Sequence, residues 1–315
     1  MSKDFKPNAL KKLWLKLTDA TEHNKYKQQR SHHKITSKLY RFIDAGMDTT
    51  PDELLNNAGA EINVLHDGNA GDIMYALPLI KKLHQIASRP VNLILKVNEP
   101  MKIGSGYDHP LGNVMLNEKM IAGLTPLLAT QPYINKVETL AGQQIDLDLT
   151  LFRKAGFATD KGDIARWVYF TAGINANLSQ AWLSVTPDKA FADKIVLARS
   201  SRYNNPLIDH SFLSQYPDLV FVGVKSEYDE MRKSIPGLKW HSVNNFLELA
   251  EVIAGCKLFI GNQSFPYAIA EGLKVPRLLE VFYQIPNVMP EGGNGYDLCF
   301  QKHFEWLVAN YNKLA

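Results

Sequence analysis

Hydrophobic residues follow two alternating patterns over most of the chain. Short apolar runs predict buried strands, and segments with apolar residues three or four positions apart predict helices. From residue 61 onward the apolar runs predict strands at residues 61–66, 91–96, 136–140, 145–150, 194–198 and 218–223, with two more inside 257–280. Strands that alternate with helices are typical of a parallel sheet covered on both faces. We therefore expect an α/β fold.

The alternation stops after an irregular stretch and then restarts, which predicts two doubly wound domains joined near residues 185–193. We expect one domain at 61–190 and a second at 191–315. Ligands of doubly wound folds bind at the carboxyl ends of the strands, so the two sets of strand ends are expected to face one cleft. Residues 100–115, rich in Gly, Pro, Asp and His, are predicted to form a loop over this edge.

Residues 1–60 are predicted to form a helical extension of these domains. Helices are expected at residues 8–28 and 32–45, with stripes of residues that we expect to be buried: Leu10, Leu13, Trp14, Leu17, Leu39, Phe42 and Ile43. A further helix should begin at Thr50, because Pro51 suits a first helical position and Glu53 completes a capping box.

Charge is distributed unevenly along the chain. Residues 1–45 hold eleven Lys and Arg against four Asp and Glu, a local balance of +7, although the whole chain carries only +3. A basic arm of this kind could bind an acidic partner such as DNA or an anionic membrane surface. The alternative is a solvated helix with no partner. The remaining composition is that of an ordinary globular protein, with 45% hydrophobic and 21% charged residues.

Cysteine use and motif content exclude several classes of protein. The two cysteines, Cys256 and Cys299, form no disulfide framework and have no zinc spacing, so we expect a reducing, cytoplasmic setting. No apolar run is long enough to cross a bilayer. The chain has no P-loop, no Gly-x-Gly-x-x-Gly and no Gly-x-Ser-x-Gly, which leaves ATPase, dehydrogenase and hydrolase functions without support.

The stretch Lys257–Glu280 is predicted to form a strand, a polar turn, a helix and a second strand. The turn Gly261–Ser264 would lie at the carboxyl end of a strand and the amino end of a helix, where backbone N–H groups and the helix dipole favour an anion such as phosphate. The alternative is an ordinary strand–helix–strand unit in which Ser264 caps the helix.

Two motifs resemble those of the heptosyltransferase-like glycosyltransferases of the ADP-heptose:lipopolysaccharide type. Asn69–Pro78 resembles the Gly-Asp…Leu-Pro start of that family, and Phe246–Pro276 resembles its donor-binding element. The resemblance covers residues 61–285 and implies the GT-B fold, two Rossmann-like domains around a cleft. The family commonly has an acidic residue and a His where this chain has Gln263 and Tyr267, which leaves the sugar and the nucleotide open.

The resemblance implies a catalytic base in the Gly-Asp turn, which makes Asp72 the first candidate and Asp67 the second. His66 and Gly71 would lie on the acceptor side of the same turn. Because arginine offers paired donors to phosphate and hydroxyls add more, the donor diphosphate and sugar are assigned to the residues Arg199, Ser200, Ser201, Arg202, Asn262, Gln263 and Ser264. Glu271, two helical turns beyond Ser264, could accept hydrogen bonds from ribose hydroxyls; a solvated glutamate is the alternative.

These expectations describe a glycosyltransferase that moves a sugar from a nucleotide-sugar to an acceptor glycan or another hydroxyl, with inversion and without a metal or other cofactor. Asp146-Leu-Asp148 spells a D-x-D metal motif, but three residues are weak evidence and no metal is expected. Two alternatives remain open. One is a phage-type enzyme that glycosylates DNA bases, and the other is a GT-B-like module that binds nucleotide or sugar without transfer. The oligomeric state is left open.

Overall fold

The computed structural model describes residues 5–101, 112–154 and 156–314, and it divides into two compact units, Met1–Thr49 and Thr50–Ala315. Most of the loop predicted at 100–115 lies outside the described residues. Within them, no helix is both long and apolar enough to span a membrane.

The first unit is a pair of helices, α1 at Ala9–Thr18 and α2 at Ala20–Asp44. Asp19 separates them: its backbone is extended, its N–H bonds to the Leu15 carbonyl at the end of α1, and its carboxylate accepts from the Glu22 N–H at the start of α2. The break predicted at residues 29–31 was therefore wrong. That segment holds no Gly or Pro, so nothing there interrupts the helix.

The predicted apolar stripe of α1 is exposed rather than buried. The helix packs on α2 with Leu15 buried, and the hydroxyl of the buried Tyr26 of α2 donates to the Asn8 carbonyl at 3.0 Å. The four residues expected inside are 57–79% exposed: Leu10, Leu13, Trp14 and Leu17. Leu39 and Ile43 of α2 are exposed as well. The prediction failed because α2 covers a different side of α1.

The second unit begins with α3, Pro51–Asn57, at the capping box predicted from the sequence. The Thr50 side chain accepts from the Glu53 N–H, and the Glu53 carboxylate accepts from the Thr50 N–H. Leu54 of α3 is buried in the core of this unit. The division between the units therefore falls before α3, at residues 49 and 50, and not at residue 60.

The first sheet of this unit has four parallel strands in the order β3-β2-β1-β4. The strands are β1 (Ile62–His66), β2 (Val91–Leu95), β3 (Lys136–Thr139) and β4 (Leu147–Asp148). The helices in this part are α4 (Ala70–Ala87), α5 (Glu118–Ala129), α6 (Leu151–Lys154) and α7 (Ile164–Tyr169). The sequence predicted all four strands, and β4 is shorter than expected.

The second sheet has six parallel strands in the order β10-β9-β8-β5-β6-β7. The strands are β5 (Ile195–Ala198), β6 (Leu219–Val222), β7 (Lys239–His241), β8 (Leu258–Asn262), β9 (Arg277–Glu280) and β10 (Gly295–Leu298). The helices are α8 (Lys225–Ser234), α9 (Phe246–Gly255), α10 (Phe265–Leu273) and α11 (Gln301–Leu314), with 3-10 turns at Lys189–Phe191 and Ser211–Gln215. Two parallel, helix-covered sheets confirm the predicted α/β architecture.

Alternate residues of the second sheet enter two different cores, as the two-residue period of a strand requires. Val196 and Phe259 face a core that continues into the first sheet, and Leu197 and Ile260 face a smaller core that includes residues of α11. The two sheets are joined through their helices, because α4 packs against α10 and α5 packs against α9.

Each sheet has one point at which the strand order reverses. In the first sheet the chain moves outward from β1 through β2 to β3 and then returns to place β4 on the other side of β1. In the second sheet β8 returns in the same way to the other side of β5. The carboxyl ends of β1 and β4, and of β5 and β8, are where doubly wound folds form their ligand sites.

Gly255, at the end of α9, packs closely against the backbone of Asp188 in the segment between the two sheets. A β-carbon there would lie 2.0 Å from the Asp188 carbonyl oxygen, which belongs to the backbone and cannot move aside as a flexible side chain would. We expect Gly255→Ala to lower the free energy of unfolding by about 2 kcal/mol and the melting temperature by roughly 4–8 °C. The control is Gly237→Ala, where a β-carbon meets nothing within 4 Å. Equal melting temperatures for the two variants would contradict this packing.

Candidate functional site

The turn after β1 carries three of the residues selected from the sequence: His66, Asp67 and Asp72. Gly68 lets this turn close, because a β-carbon there would lie 2.6 Å from the His66 ring and 2.8 Å from the Asp72 carboxylate. The Asn69 N–H donates to the Asp72 Oδ2 at 2.9 Å and starts α4. The structure therefore brings the two predicted acids and the histidine onto one tight turn.

His66 is fully buried and electrically neutral. Burial lowers the pKa of His66 to about 4. Its Nδ1 accepts a hydrogen bond from the Gly68 N–H at 2.9 Å, so the ring proton is assigned to Nε2. Nε2 has no hydrogen-bond partner among the described residues. His66 is therefore poorly suited to accept a proton.

Asp67 and Asp72 have different surroundings although they share the turn. Burial raises the pKa of Asp67, and its Oδ1 finds no partner in the described part of the chain. Asp72 instead forms an ion pair through Oδ2 with the Arg153 guanidinium. Burying a carboxylate without a partner raises the free energy of its charged form, whereas a neighbouring cation lowers it.

The short helix α6 carries two cations that were not predicted from the sequence, Arg153 and Lys154. Arg153 lies over the Phe152 ring, 5.0 Å from its centre, and the Lys154 amine donates to the Thr150 hydroxyl at 2.6 Å. No motif marks these residues. The available signal was their position directly after β4, at the strand reversal of the first sheet.

At the second reversal the side chain of Asn262 joins the ends of β5 and β8. Asn262 is fully buried; it accepts from the Ser200 N–H at 3.0 Å and donates to the carbonyl oxygens of Ser200 and Tyr203 at 2.8 and 3.0 Å. Its amide therefore holds the turn that carries Ser200 and Ser201. Asn262 positions that turn and has no side-chain group turned to solvent.

Gln263 is also engaged inside the protein. Its amide donates to the Ile285 carbonyl at 2.6 Å and to the Asn287 side chain at 2.8 Å, and it accepts from the Phe282 N–H at 2.7 Å. Tyr267 is fully buried against Phe259. At the two positions that differ from the heptosyltransferase motif, the side chains of this protein therefore contact other parts of the protein interior.

Arg199 forms a two-point ion pair with Glu280, which the sequence analysis had not selected. Arg199 Nε and a terminal nitrogen each lie 2.8 Å from a Glu280 oxygen. Glu280 also accepts from the Asn205 N–H at 2.7 Å and lies 3.3 Å from His210. Burial opposes ionisation of Glu280, but the hydrogen bonds from His210 and Arg199 prevail and lower its pKa. Two donors of Arg199 are thus already bound to a carboxylate.

Ser264 begins α10 without capping it. Its hydroxyl donates to the Asn262 carbonyl at 3.2 Å, and its side chain makes no capping bond to the first turn of the helix. The amino end of α10 lies against that of α4, since a β-carbon at Gly71 would be 3.9 Å from the Phe265 Cα. Two positive helix ends and the Asp72 turn therefore meet at one place.

Glu271 lies away from this meeting point. Its carboxylate is 1% exposed, forms an ion pair with Lys274, and accepts from Arg277 Nε at 2.5 Å and from the Glu291 N–H at 3.0 Å. Arg277 is the first residue of β9, so the pair sits near the amino edge of the sheet. The structure does not bring Glu271 together with the other predicted donor residues.

A cavity of about 320 Å³ opens beside the turn that follows β5. It is lined mainly by polar side chains of that turn and of α8: Arg199, Ser201, Asn204, Ile208, Asp209, His210, Ser226, Glu227, Glu230, Met231 and Ser234. Burial raises the pKa of Glu227 to about 7, and its carboxylate accepts from the Ser201 N–H at 3.3 Å. Arg202 is exposed, with its guanidinium 4.8 Å from the centre of the Tyr203 ring.

The two acids of the D-x-D motif bind neighbouring backbone. Asp146 accepts from the Asn63 N–H and Asp148 from the Thr150 N–H, both at 2.8 Å. Across residues 5–101, 112–154 and 156–314, no group of three or more His, Cys, Asp or Glu side chains is arranged to hold a metal ion.

Solved structures share this architecture. The heptosyltransferase WaaC of E. coli, solved with ADP, is 9% identical with a TM-score of 0.54 and covers 80% of this chain and 99% of its own. The same enzyme solved with ADP-2-deoxy-2-fluoro heptose is 9% identical with a TM-score of 0.53, over 79% and 99%. No protein-family model matches the sequence, and no curated protein matches it significantly. At this identity the likeness establishes the GT-B fold.

Glu227→Gln should make the protein more stable than the parent above pH 7, because the variant cannot ionise. The carboxyl is protonated more readily when folded, with a pKa of about 7 against an ordinary 4.5. The parent therefore loses stability as the pH rises through this range, and below it the two proteins should converge. Urea unfolding at several pH values measures the difference. Glu230→Gln, whose side chain is 73% exposed on the same helix, should show little pH-dependent difference. A Glu227→Gln difference that does not change with pH would contradict the assigned environment.

Proposed function

We propose that the chain is a glycosyltransferase that moves a sugar from a nucleotide-sugar donor to a hydroxyl group of an acceptor. The observation that carries the proposal is the meeting of the α4 and α10 amino ends beside Asp72, at the strand reversals of a GT-B fold. Such a junction combines a carboxylate with positive helix ends, which suit a hydroxyl acceptor and a diphosphate respectively.

The donor is assigned to the second sheet. Its nucleoside would occupy the cavity beside β5, where the Glu227 carboxyl can bind ribose hydroxyls, and its diphosphate would lie at the amino end of α10. Ser200, Ser201, Ser264 and the exposed Arg202 are the remaining candidates for phosphate and sugar contacts. A nucleoside diphosphate sugar such as the ADP-heptose analogue bound by WaaC has this chemistry.

Asp72 is assigned as the base that takes the acceptor proton. Arg153 and the Asn69 N–H both contact its Oδ2, which fixes the carboxylate and leaves Oδ1 for the acceptor hydroxyl. The acceptor would attack the anomeric carbon from the face opposite the leaving diphosphate, so the product has inverted stereochemistry. In this scheme the helix ends and the serine hydroxyls, not a metal ion, stabilise the leaving group.

A thermal-shift screen against nucleotide-sugars tests donor binding. A ligand at about 100 times its dissociation constant stabilises the folded protein by about 2.7 kcal/mol. We expect one nucleoside diphosphate sugar to raise the melting temperature more than its free sugar does, and the shift to grow with the logarithm of concentration. A panel that includes ADP-heptose and gives no shift with any member would reject donor binding.

Asp72→Asn should lower kcat by about 10²–10⁴-fold while leaving the dissociation constant of the donor nearly unchanged, because the amide has the size of the carboxylate but cannot take the acceptor proton. Asp67→Asn is the matched control on the same turn, with a far smaller loss expected. Single-turnover kinetics and calorimetry with the donor separate the two quantities. A larger loss in Asp67→Asn would move the base to Asp67, and full activity in both would remove the turn from the mechanism.

A second candidate function is nucleotide or sugar binding without transfer. The observation that favours it is the internal use of the Gln263, Asn262 and Arg199 side chains, which leaves fewer side-chain hydrogen-bond donors for a diphosphate than the sequence predicted. The two candidates differ in turnover. Enzymatic release of nucleoside diphosphate from a donor that also shifts the melting temperature would eliminate the binding module, and saturable binding without release would eliminate the transferase.

A further inference from the structure

The α1 helix exposes a continuous apolar face. Leu10 and Leu17 are 78% and 79% exposed, and Leu13 and Trp14 are 57% and 62% exposed. These residues are three or four positions apart, so they lie along one side of the helix. Four large apolar side chains on one surface of a short helix are unusual unless a partner covers them.

This face cannot be buried by a simple rotation of α1 on α2, because the other side of α1 is already held. Leu15 is 7% exposed, and Tyr26 of α2 binds the backbone of Asn8 twice, at 2.6 Å and 3.0 Å. Phe5 also lies against the Tyr26 ring, 5.4 Å between centres. Within this unit the helix pair therefore holds the apolar face outward.

The polar sides of α1 are positive. Lys11 and Lys16 are exposed, Lys12 is half-buried, and no acidic residue lies in the helix. The surrounding residues 1–45 carry a balance of +7. A helix with leucine and tryptophan on one face and lysine on the others is typical of segments that lie in the plane of an anionic membrane surface.

We propose that α1 docks the protein on an anionic lipid surface, with Leu10, Leu13, Trp14 and Leu17 entering the boundary between headgroups and acyl chains. Lys11 and Lys16 would contact the lipid phosphates. Tryptophan favours this boundary because its ring is apolar and its N–H can remain hydrogen-bonded. The proposal does not depend on sugar transfer.

Duplex DNA shares the negative charge of such a surface but does not account for the leucines. Binding to the phosphate backbone requires cations and polar groups, and four exposed apolar side chains would remain in water. An anionic lipid surface can bind both parts of the helix, because its phosphates attract the lysines and its acyl chains accept the apolar face. We therefore favour lipid, and DNA becomes an outcome that the experiment can detect.

The experiment is co-sedimentation of the full chain with vesicles. We expect binding to vesicles of equal parts phosphatidylcholine and phosphatidylglycerol to be at least about tenfold stronger than to phosphatidylcholine alone, and to weaken in high salt. Equal binding to both vesicles, or to neither, would overturn the proposal. Retardation of duplex DNA without vesicle binding would overturn it in favour of nucleic acid.

Matched variants distinguish vesicle binding through this face of α1 from nonspecific binding through other exposed residues. Trp14→Gln should weaken vesicle binding about tenfold, whereas Trp306→Gln, which replaces a tryptophan 54% exposed on α11, should not. Lys11→Gln with Lys16→Gln should reduce binding to the anionic vesicles, whereas Lys239→Gln with Lys302→Gln, two exposed lysines elsewhere, should leave it unchanged. Circular dichroism checks that each variant is folded.

Equal losses in Trp14→Gln and Trp306→Gln, or in the two lysine pairs, would overturn the assignment of the surface to α1. The same applies if Trp14→Gln instead converts a dimer into a monomer in sedimentation velocity without altering vesicle binding. In that case a second copy of the chain covers the face.

Discussion

Backbone groups at and just beyond the carboxyl ends of β5, β8 and β9 are buried or half-buried, so each needs a hydrogen-bonding partner. Side chains of the same strand ends supply the partners: Asn262 binds both the N–H and the carbonyl of Ser200, Gln263 binds Phe282 and Ile285, and Glu280 binds the Asn205 N–H. The shape of this edge of the second sheet depends on these bonds. They fix where Ser200, Ser201 and Ser264 stand relative to the amino end of α10.

This constraint also decides which groups can meet a ligand. A phosphate approaching Arg199 would have to compete with Glu280, a buried carboxylate already matched by several donors. Breaking a buried pair leaves an uncompensated charge and costs several kcal/mol. Groups that no carboxylate binds within the described part of the chain are the amino end of α10, the serine hydroxyls and the Arg202 guanidinium, and these remain available to an anion.

Most elements were predictable because strands and helices have different hydrophobic periods, although β10 was not predicted. The junctions after β1 and β8 followed from them, but β8 continues through Gly261 and Asn262, and Gly71 and Asp72 already belong to α4. The hydrogen-bond partners of individual polar side chains were not predictable. Gln263 and Glu271 are residue types that serve ligands or buried backbone equally well, and only the folded chain shows which. Arg153 lies in a four-residue helix without a motif. The stripe of α1 had the correct period, but a period does not reveal what covers the face.

The junction between β1 and α4 holds two acids with different surroundings. Gly68 lets the chain approach itself closely, so His66, Asp67 and Asp72 lie near one another. Their electrostatic surroundings nevertheless differ. Burial lowers the pKa of His66 and raises that of Asp67, so both groups favour their neutral forms more than they would in water. The Arg153 guanidinium pairs with Asp72. The Asp72–Arg153 pair lies beside the amino ends of α4 and α10, where the two helix dipoles favour an anion.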